Sequence, residues 1–353
     1  MKDMSKLLSI IVPSFNMERW LPACLDSLSD WFGGCSPLEV IVVNDGSTDR
    51  TVEVARACAE RCPSVVRVID KANGHYGSAV NAGLAAACGL YVKILDADDT
   101  FDAEGLATLV QAIAADVEAQ TLPDLYLTNY DEVDANGRPR RAMSYPLPTD
   151  APFGVAEIVA KTKEITMHAC TWRVELLRGM GYRQSEGITY SDVEWILYPM
   201  LRAKFIRYLP VRVYLYLIGR EGQSVSLAGR SRNSHAWEVI LARIFRTIRA
   251  DGAALDPDAR EYLLRVATDM ARMYLETAFV LTPVARAKVV LPRLAQELES
   301  VESGLYLRLE REAMILKRSL RIHYLRVWRR LPIGKTFWML LVRGYLAVTR
   351  WKR

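Results

Sequence analysis

The sequence has no CxxC pair and only four scattered histidines, so the spacings that build a structural zinc site are missing. Its six cysteines, Cys24, Cys35, Cys58, Cys62, Cys88 and Cys170, read as reduced, incidental thiols, the usage expected of a cytoplasmic protein. Long apolar runs are missing too. The run Leu7–Val12 is too short for a signal-peptide core and ends at Pro13, so it reads as a buried strand. Residues 336–348 (TFWMLLVRGYLAV) are interrupted by Arg343 and fall well short of the roughly 20 apolar residues a spanning helix needs. There is no internal repeat and no low-complexity linker. Acidic residues are missing from residues 313–353, which carry eleven bases: Lys317, Arg318, Arg321, Arg326, Arg329, Arg330, Lys335, Arg343, Arg350, Lys352 and Arg353. The net charge of +5 therefore divides into +11 for this tail and −6 for residues 1–312. Such a tail seeks an anionic partner, DNA or a lipid surface.

What is present is a foldable chain of 353 residues, 51% apolar and 25% charged. Its first hundred residues alternate short apolar runs with helical stretches. Leu8–Val12, Val40–Val43, Val65–Ile69 and Tyr91–Leu95 read as strands. Glu18–Trp31, a stretch capped within Ser47-Thr48-Asp49 and running through Ala59, and Gly77–Ala87 read as helices. Fully apolar strands separated by helices indicate a parallel sheet covered on both faces, whose ligand crevice lies beyond the carboxyl ends of the strands. A hairpin is expected over Leu125–Val133, an Asn136-Gly137 turn and a return towards Met143. Helices are expected at Trp237–Ile248, Asp258–Phe279, Val284–Leu298 and Leu305–Leu331.

Polar motifs stand at each strand end. The first strand closes with Pro13-Ser14-Phe15-Asn16, the second with Asn44-Asp45-Gly46-Ser47-Thr48-Asp49. An aromatic and a carboxylate at neighbouring strand ends can stack on and hydrogen-bond a nucleobase; equally, Asn16 and Ser47 can simply cap helices. The fourth strand closes with Asp96-Ala97-Asp98-Asp99. Crowded carboxylates at the end of a buried strand repel one another and lose solvation, which a bound cation offsets. Hard oxygen ligands suit Mg²⁺ or Mn²⁺ with a diphosphate completing the shell; the alternative is an acidic turn capping the next helix.

Together the stretches SIIVPSFNMERWLPACLDSL, VVNDGSTDRT, NGHYGSAVNAGL and LDADD, in this order and spacing, resemble the family 2 glycosyltransferases of the GT-A fold, of bacterial polysaccharide type. The resemblance covers about residues 7–228. It implies an α/β, Rossmann-like, mostly parallel sheet with helices on both faces. It also implies that Phe15 and Asp45 hold the uracil of a UDP-sugar, that Asp96 takes its ribose, and that Asp98 binds the metal bridging the phosphates. Pro13, Asn73, Gly74 and Ala97 fall in the matched donor-binding text. Val80 departs from the pattern, since many members carry Arg shortly before the Asn-Ala-Gly matched by Asn81-Ala82-Gly83. For the acceptor hydroxyl the family uses an acidic base, which falls on Asp192 in Tyr190-Ser191-Asp192-Val193-Glu194-Trp195, with Glu186 and Glu194 as neighbours. A carboxylate with a reference pKa of about 3.9 is ionised at neutral pH without help. Ile218–Ser226 looks like the loop closing over the donor, with Arg220 matched to the diphosphate and His168 placed near the acceptor cleft. Attack opposite the leaving group inverts the anomeric centre.

The expected organisation is a catalytic domain over 1–228, a helical domain over 229–312 and a basic, aromatic helical tail over 313–353. Trp328, Phe337, Trp338, Tyr345 and Trp351 interleave with the bases, as in an interfacial helix on an anionic membrane. The body resembles no nucleic-acid module, so no nucleic-acid partner is expected. A peripheral enzyme on the inner face of the cell membrane implies a lipid-linked glycan acceptor, as in capsule or exopolysaccharide synthesis. Two other readings remain at this point. Asp96–Thr100 also satisfies the DxDxT of haloacid-dehalogenase-type phosphatases, and a non-catalytic nucleotide-sugar-binding scaffold would need the same pocket.

Overall fold

A computed structural model describes residues 6–33, 35–220, 233–281, 284–312, 314–317 and 320–323, with isolated stretches beyond. The chain forms two compact units, residues 1–221 and 222–353.

The first unit opens with β1 (Leu8–Ser14), α1 (Leu21–Asp26), β2 (Leu38–Asp45), α2 (Thr51–Arg61), β3 (Val66–Lys71), α3 (His75–Ala86) and β4 (Tyr91–Ile94). β1 and β2 are buried along their whole length, which is why they carry no polar alternation. β1 pairs in parallel with both β2 and β4, and β3 lies outside β2. The chain thus moves outward from β1 to β3 and then returns to the other side of β1. That reversal opens a crevice beyond the carboxyl ends of β1 and β4.

The even-numbered residues Leu8, Ile10 and Val12 of β1 join a core with Leu21 and Leu25 of α1, Ala55 and Cys58 of α2, and Leu106 and Leu109 of α4 (Ala103–Glu118). On the opposite face α3 lies so close to β1 that a Cβ on Gly83 would sit 2.5 Å from the Ile11 side chain. Helices therefore cover both faces, as expected. The expected helix Glu18–Trp31 is shorter than its pattern: α1 ends at Asp26 and a single 3₁₀ turn covers Ser29–Trp31. The cap expected within Ser47-Thr48-Asp49 falls one residue later, on Arg50, with Asp49 accepting from the Thr51 backbone N–H at 3.0 Å just ahead of the helix.

The remaining strands are β5 (Thr100–Phe101), β6 (Leu125–Val133), β7 (Pro139–Met143), β8 (Cys170–Arg173) and β9 (Ile206–Leu217), with α5 (Val155–Lys161), α6 (Val174–Gly179) and α7 (Asp192–Met200) among them. The sheet order is β3-β2-β1-β4-β8-β6-β9-β5, with β7 on β6. This half is mixed: β8 is antiparallel to β4 and β6, whereas β6 and β9 are parallel. The hairpin β6–β7 turns where expected, with Gly137 at φ 72°. β5 matters most for the site. It follows directly on Asp99 and pairs antiparallel with β9, Phe101 opposite Tyr214, which draws the tyrosines of β9 under the acidic strand end.

The second unit holds α8 (Ser234–Asp251), α9 (Pro257–Leu281), α10 (Val284–Val301) and α11 (Leu305–Glu312). Ile240, Leu241, Ile244, Phe245 and Ile248 make one buried stripe on α8, at the spacing of a single helix face. The expected helix Leu305–Leu331 stops at Glu312 and is followed by two short antiparallel strands, β10 (Met314–Lys317) and β11 (Leu320–His323). Leu320-Arg321-Ile322-His323 alternates with the period of a strand, a signal the helical reading overran. Among the described residues no helix is long and apolar enough to cross a membrane. Most of the tail beyond residue 323, and residues 221–226 of the expected closing loop, lie outside the described residues.

Candidate active site

The loops after β1 and β2 brace each other. Asn16, at φ 54°, donates its backbone N–H to Ser47 Oγ at 3.0 Å and accepts from the Thr48 N–H at 2.8 Å. The Met17 N–H donates to Thr51 Oγ1 at 2.7 Å. Neither Asn16 nor Ser47 caps a helix; they lock two strand ends into one frame. Pro13 is buried in that frame, opposite Val43, while the Phe15 ring stands out of it, 44% exposed.

Asp45 sits at the end of β2 and is buried. Its carboxylate accepts from Lys71 Nζ at 2.7 Å and from the Gly74 N–H at 3.0 Å, and its carbonyl accepts from Asn73 Nδ2 at 2.9 Å. The fold thus brings Asp45, Asn73 and Gly74 together, as the sequence predicts. It adds Lys71, whose only sequence signal is its place at the end of the third strand, in register with Asp45. Gly46, at φ 71°, lets the Asn73 backbone come so close that a Cβ would lie 2.8 Å from its nitrogen.

The acidic centre lies beyond β4. Tyr76, on the first turn of α3, donates its hydroxyl to Asp96 Oδ1 at 2.9 Å. The Asp96 backbone N–H donates to the Tyr214 hydroxyl at 3.1 Å. Asp99 is buried, with one oxygen accepting from the Tyr214 hydroxyl at 2.6 Å and the other from the Leu217 N–H at 2.7 Å. Ala97, between the acids, is part of the core. Asp98 pairs with Arg220 through Nε, and the Arg220 guanidinium lies 5.9 Å from the centre of the Trp20 ring. Burial, then the Asp98 charge, push both Asp96 and Asp99 above the usual carboxylate range.

His168 stands beside this cluster, stacked on Tyr216 at 4.4 Å and edge-on to Tyr214 at 4.7 Å. Its Nδ1 is buried without a hydrogen-bond partner. Burial, with the nearby Lys93 charge, drops its pKa to about 3, so the ring is neutral and able to offer a lone pair. Lys93 is fully buried beneath it and donates to the His168 carbonyl at 2.7 Å and the Cys170 carbonyl at 3.3 Å. Burial lowers its pKa to about 7. A lysine inside an apolar strand is a signal in the sequence, YVKIL, that motif reading passes over.

Asp192 opens α7, two residues after Tyr190, which is held at φ 60°. Its charge raises both the Tyr76 hydroxyl and the Asp96 carboxyl, so it stands near the acidic cluster. Burial raises its own pKa. Its acidic neighbours are engaged elsewhere. Glu194 is buried and clamps Ser185 through the backbone N–H at 2.6 Å and the hydroxyl at 2.8 Å. Glu186 accepts from Asn81 Nδ2 at 2.9 Å and from Arg183 at 2.7 Å.

Could these residues hold a cation? Donor atoms of Asp96, Asp99 and His168 lie within 4.8 Å of one another, and Asp98 is next in sequence with a cationic partner already on it. Both Asp99 oxygens are committed to Tyr214 and Leu217 and one Asp96 oxygen to Tyr76, so a cation would be met by the other Asp96 oxygen or by Asp98 beside Arg220, together with the His168 imidazole. Two carboxylates and an imidazole fit a hard to borderline divalent ion.

The sequence comparisons agree with this geometry. Residues 9–173 match the model of Glycosyl transferase family 2. An uncharacterised glycosyltransferase of Bacillus subtilis (strain 168), EpsJ, is 45% identical over 96 residues, 27% of this chain and 27% of that protein. In three dimensions the chain resembles residues 1–349 of S. aureus TarS, solved with UDP-GlcNAc, at TM-score 0.54 and 18% identity, covering 89% of this chain and 95% of that one. It also resembles the mannosyltransferase PcManGT of Pyrobaculum calidifontis, solved with GDP-Man and Mn²⁺, at TM-score 0.52 and 19% identity, covering 87% and 86%. The matched segment contains the braced strand ends, the first turn of α3 and the acidic end of β4, so residues 9–173 match a family 2 glycosyltransferase domain, on a GT-A fold.

Proposed function

We propose that the chain transfers a sugar from a UDP-sugar to an acceptor hydroxyl with inversion at the anomeric carbon. The observation that carries this reading is the acidic end of β4, where Asp96 and Asp98 meet Arg220 and His168 and where the Asp192 charge, from the start of α7, acts on Asp96. A base for the incoming hydroxyl and a cradle for the departing diphosphate would then lie near each other. The uracil would stack on Phe15 and meet the polar frame of Pro13, Asp45, Asn73 and Gly74. Asp96 would take the ribose, with Ala97 packed beneath it. TarS with UDP-GlcNAc supports a nucleotide-sugar donor of this class, and PcManGT keeps a guanosine donor as the alternative.

The Asp192 carboxylate would accept the hydroxyl proton as the acceptor oxygen attacks opposite the leaving group. Arg220, already held beside Asp98, would lend its guanidinium to the phosphates, and His168 would border the acceptor side. Asp98, with the His168 imidazole beside the cluster, would hold a Mn²⁺ or Mg²⁺ ion, which would supply charge neutralisation for the nucleoside diphosphate. Screening UDP- and GDP-sugars for acceptor-dependent nucleotide release tests the reading. A UDP-sugar should turn over; free phosphate released from simple phosphoesters without it would favour the phosphatase alternative, and no transfer with any donor would favour a binding scaffold.

The acceptor is proposed to be a lipid-linked glycan at the inner face of the cell membrane, because eleven bases and six aromatics concentrate in residues 313–353. Replacing Arg326, Arg329, Arg330 and Arg343 with Gln should release the protein from anionic vesicles in a flotation assay while transfer to a soluble acceptor continues. Wild-type protein that ignores such vesicles, or that prefers duplex DNA, would rule out membrane docking by the tail.

A further inference from the structure

We infer that Tyr76 is the positioning residue of the donor site, its hydroxyl fixing the Asp96 carboxylate in the orientation that receives the ribose. This rests on the reading above, in which Asp96 takes the ribose hydroxyls. Asp96 is held at two points: its backbone by the Tyr214 hydroxyl and one side-chain oxygen, Oδ1, by Tyr76 at 2.9 Å. No other side chain among the described residues hydrogen-bonds that carboxylate, so its second oxygen is left for a ligand.

The tyrosine itself is pinned. Two residues earlier, the Gly74 N–H donates to Asp45 and the Gly74 carbonyl accepts from the Gly187 N–H at 2.9 Å. His75 is forced to φ 64°, a conformation a side-chain-bearing residue adopts only when its surroundings impose it. On the other side, Gly77 lies so tightly against the loop before α7 that a Cβ would fall 2.1 Å from the Ser185 carbonyl oxygen. The phenol is thus aimed by constraints before and after it, and the Met167 sulfur, 3.3 Å away, closes its far side. One turn along α3, Val80 is fully buried and apolar, at the position where the sequence departs from the arginine many relatives carry. This helix face therefore offers Asp96 a neutral, directional donor and no cation. A neutral partner fixes the carboxylate without cancelling the charge that a ribose hydroxyl, or a metal, would be drawn to.

The test compares UDP with 2′,3′-dideoxy-UDP by calorimetry at saturating Mn²⁺, using GDP and its dideoxy form if the donor screen returns a guanosine sugar. Tyr76→Phe keeps the ring and removes only the hydroxyl, and its melting curve should match wild type. Wild type should prefer the ribose form; Tyr76→Phe should bind it about tenfold more weakly and bind the dideoxy form unchanged, so that the preference collapses. A variant that weakens both forms equally, or keeps the wild-type ratio, would overturn the assignment of Tyr76. A wild type with no preference would instead sink the placement of the ribose on Asp96, and the role of Tyr76 with it.

Discussion

Asp192→Asn should lower turnover by about 10²–10⁴ while leaving the affinity for UDP nearly unchanged. The substitution keeps the shape of the side chain and removes the proton acceptor. It sits at the start of α7, whereas the proposed nucleotide frame is built from the ends of β1 and β2 and the start of α3, so donor contacts should survive. The pH dependence adds a second readout. Burial raises the Asp192 pKa, and a base works only when deprotonated. Activity should therefore fall as pH drops through the Asp192 pKa, and that acid limb should lie above the ordinary carboxylate range rather than within it. Measurement of kcat against pH for wild type, alongside kcat and UDP affinity for the variant, checks both statements. Glu186→Gln and Glu194→Gln serve as controls. Loss of Glu194 frees the Ser185 loop and should show as a lower melting temperature, and loss of Glu186 removes an exposed contact to Asn81 and Arg183. If either control abolishes turnover while Asp192→Asn retains it, Asp192 is not the base.

The parallel half of the fold was legible because its strands are buried on both faces. LSIIV and VIVV have no polar alternation to disguise them, and each ends in a polar cluster that marks where the sheet meets solvent. Local turn chemistry was legible for the same kind of reason: Asn136-Gly137 is a turn whatever surrounds it. What stayed hidden depends on contacts between distant segments. Asn16 and Ser47 have the composition of helix caps, and only the parallel register of β1 and β2 turns them towards each other. Lys71 reaches Asp45 for the same reason. Tyr214, 115 residues from Asp99, reaches it only because β5 pairs with β9. Glu194, two residues from Asp192, cannot be told from it by sequence pattern; burial against Ser185 separates them.

Removing divalent cations with EDTA should abolish transfer, and adding Mn²⁺ or Mg²⁺ should restore it. The physical reason lies in the empty balance sheet of charge at the end of β4. Asp96, Asp98 and Asp99 crowd one turn, burial and mutual repulsion hold Asp96 and Asp99 above their usual range, and Arg220 supplies a single positive charge, paired to Asp98. A diphosphate entering that space brings further negative charge, so the donor cannot bind with all of these carboxylates ionised unless a cation accompanies it. Asp98→Ala should therefore lose nucleotide binding and turnover together, which distinguishes it from Asp192→Asn, where binding persists. His168→Ala should weaken Mn²⁺ binding, read directly by electron paramagnetic resonance titration in the presence of UDP, since a nitrogen of its imidazole lies within 4.8 Å of the Asp96 and Asp99 oxygens. Full activity in EDTA would show that Arg220 and the polar frame neutralise the leaving group unaided. In that case Arg220→Gln, rather than Asp98→Ala, should be the variant that abolishes transfer.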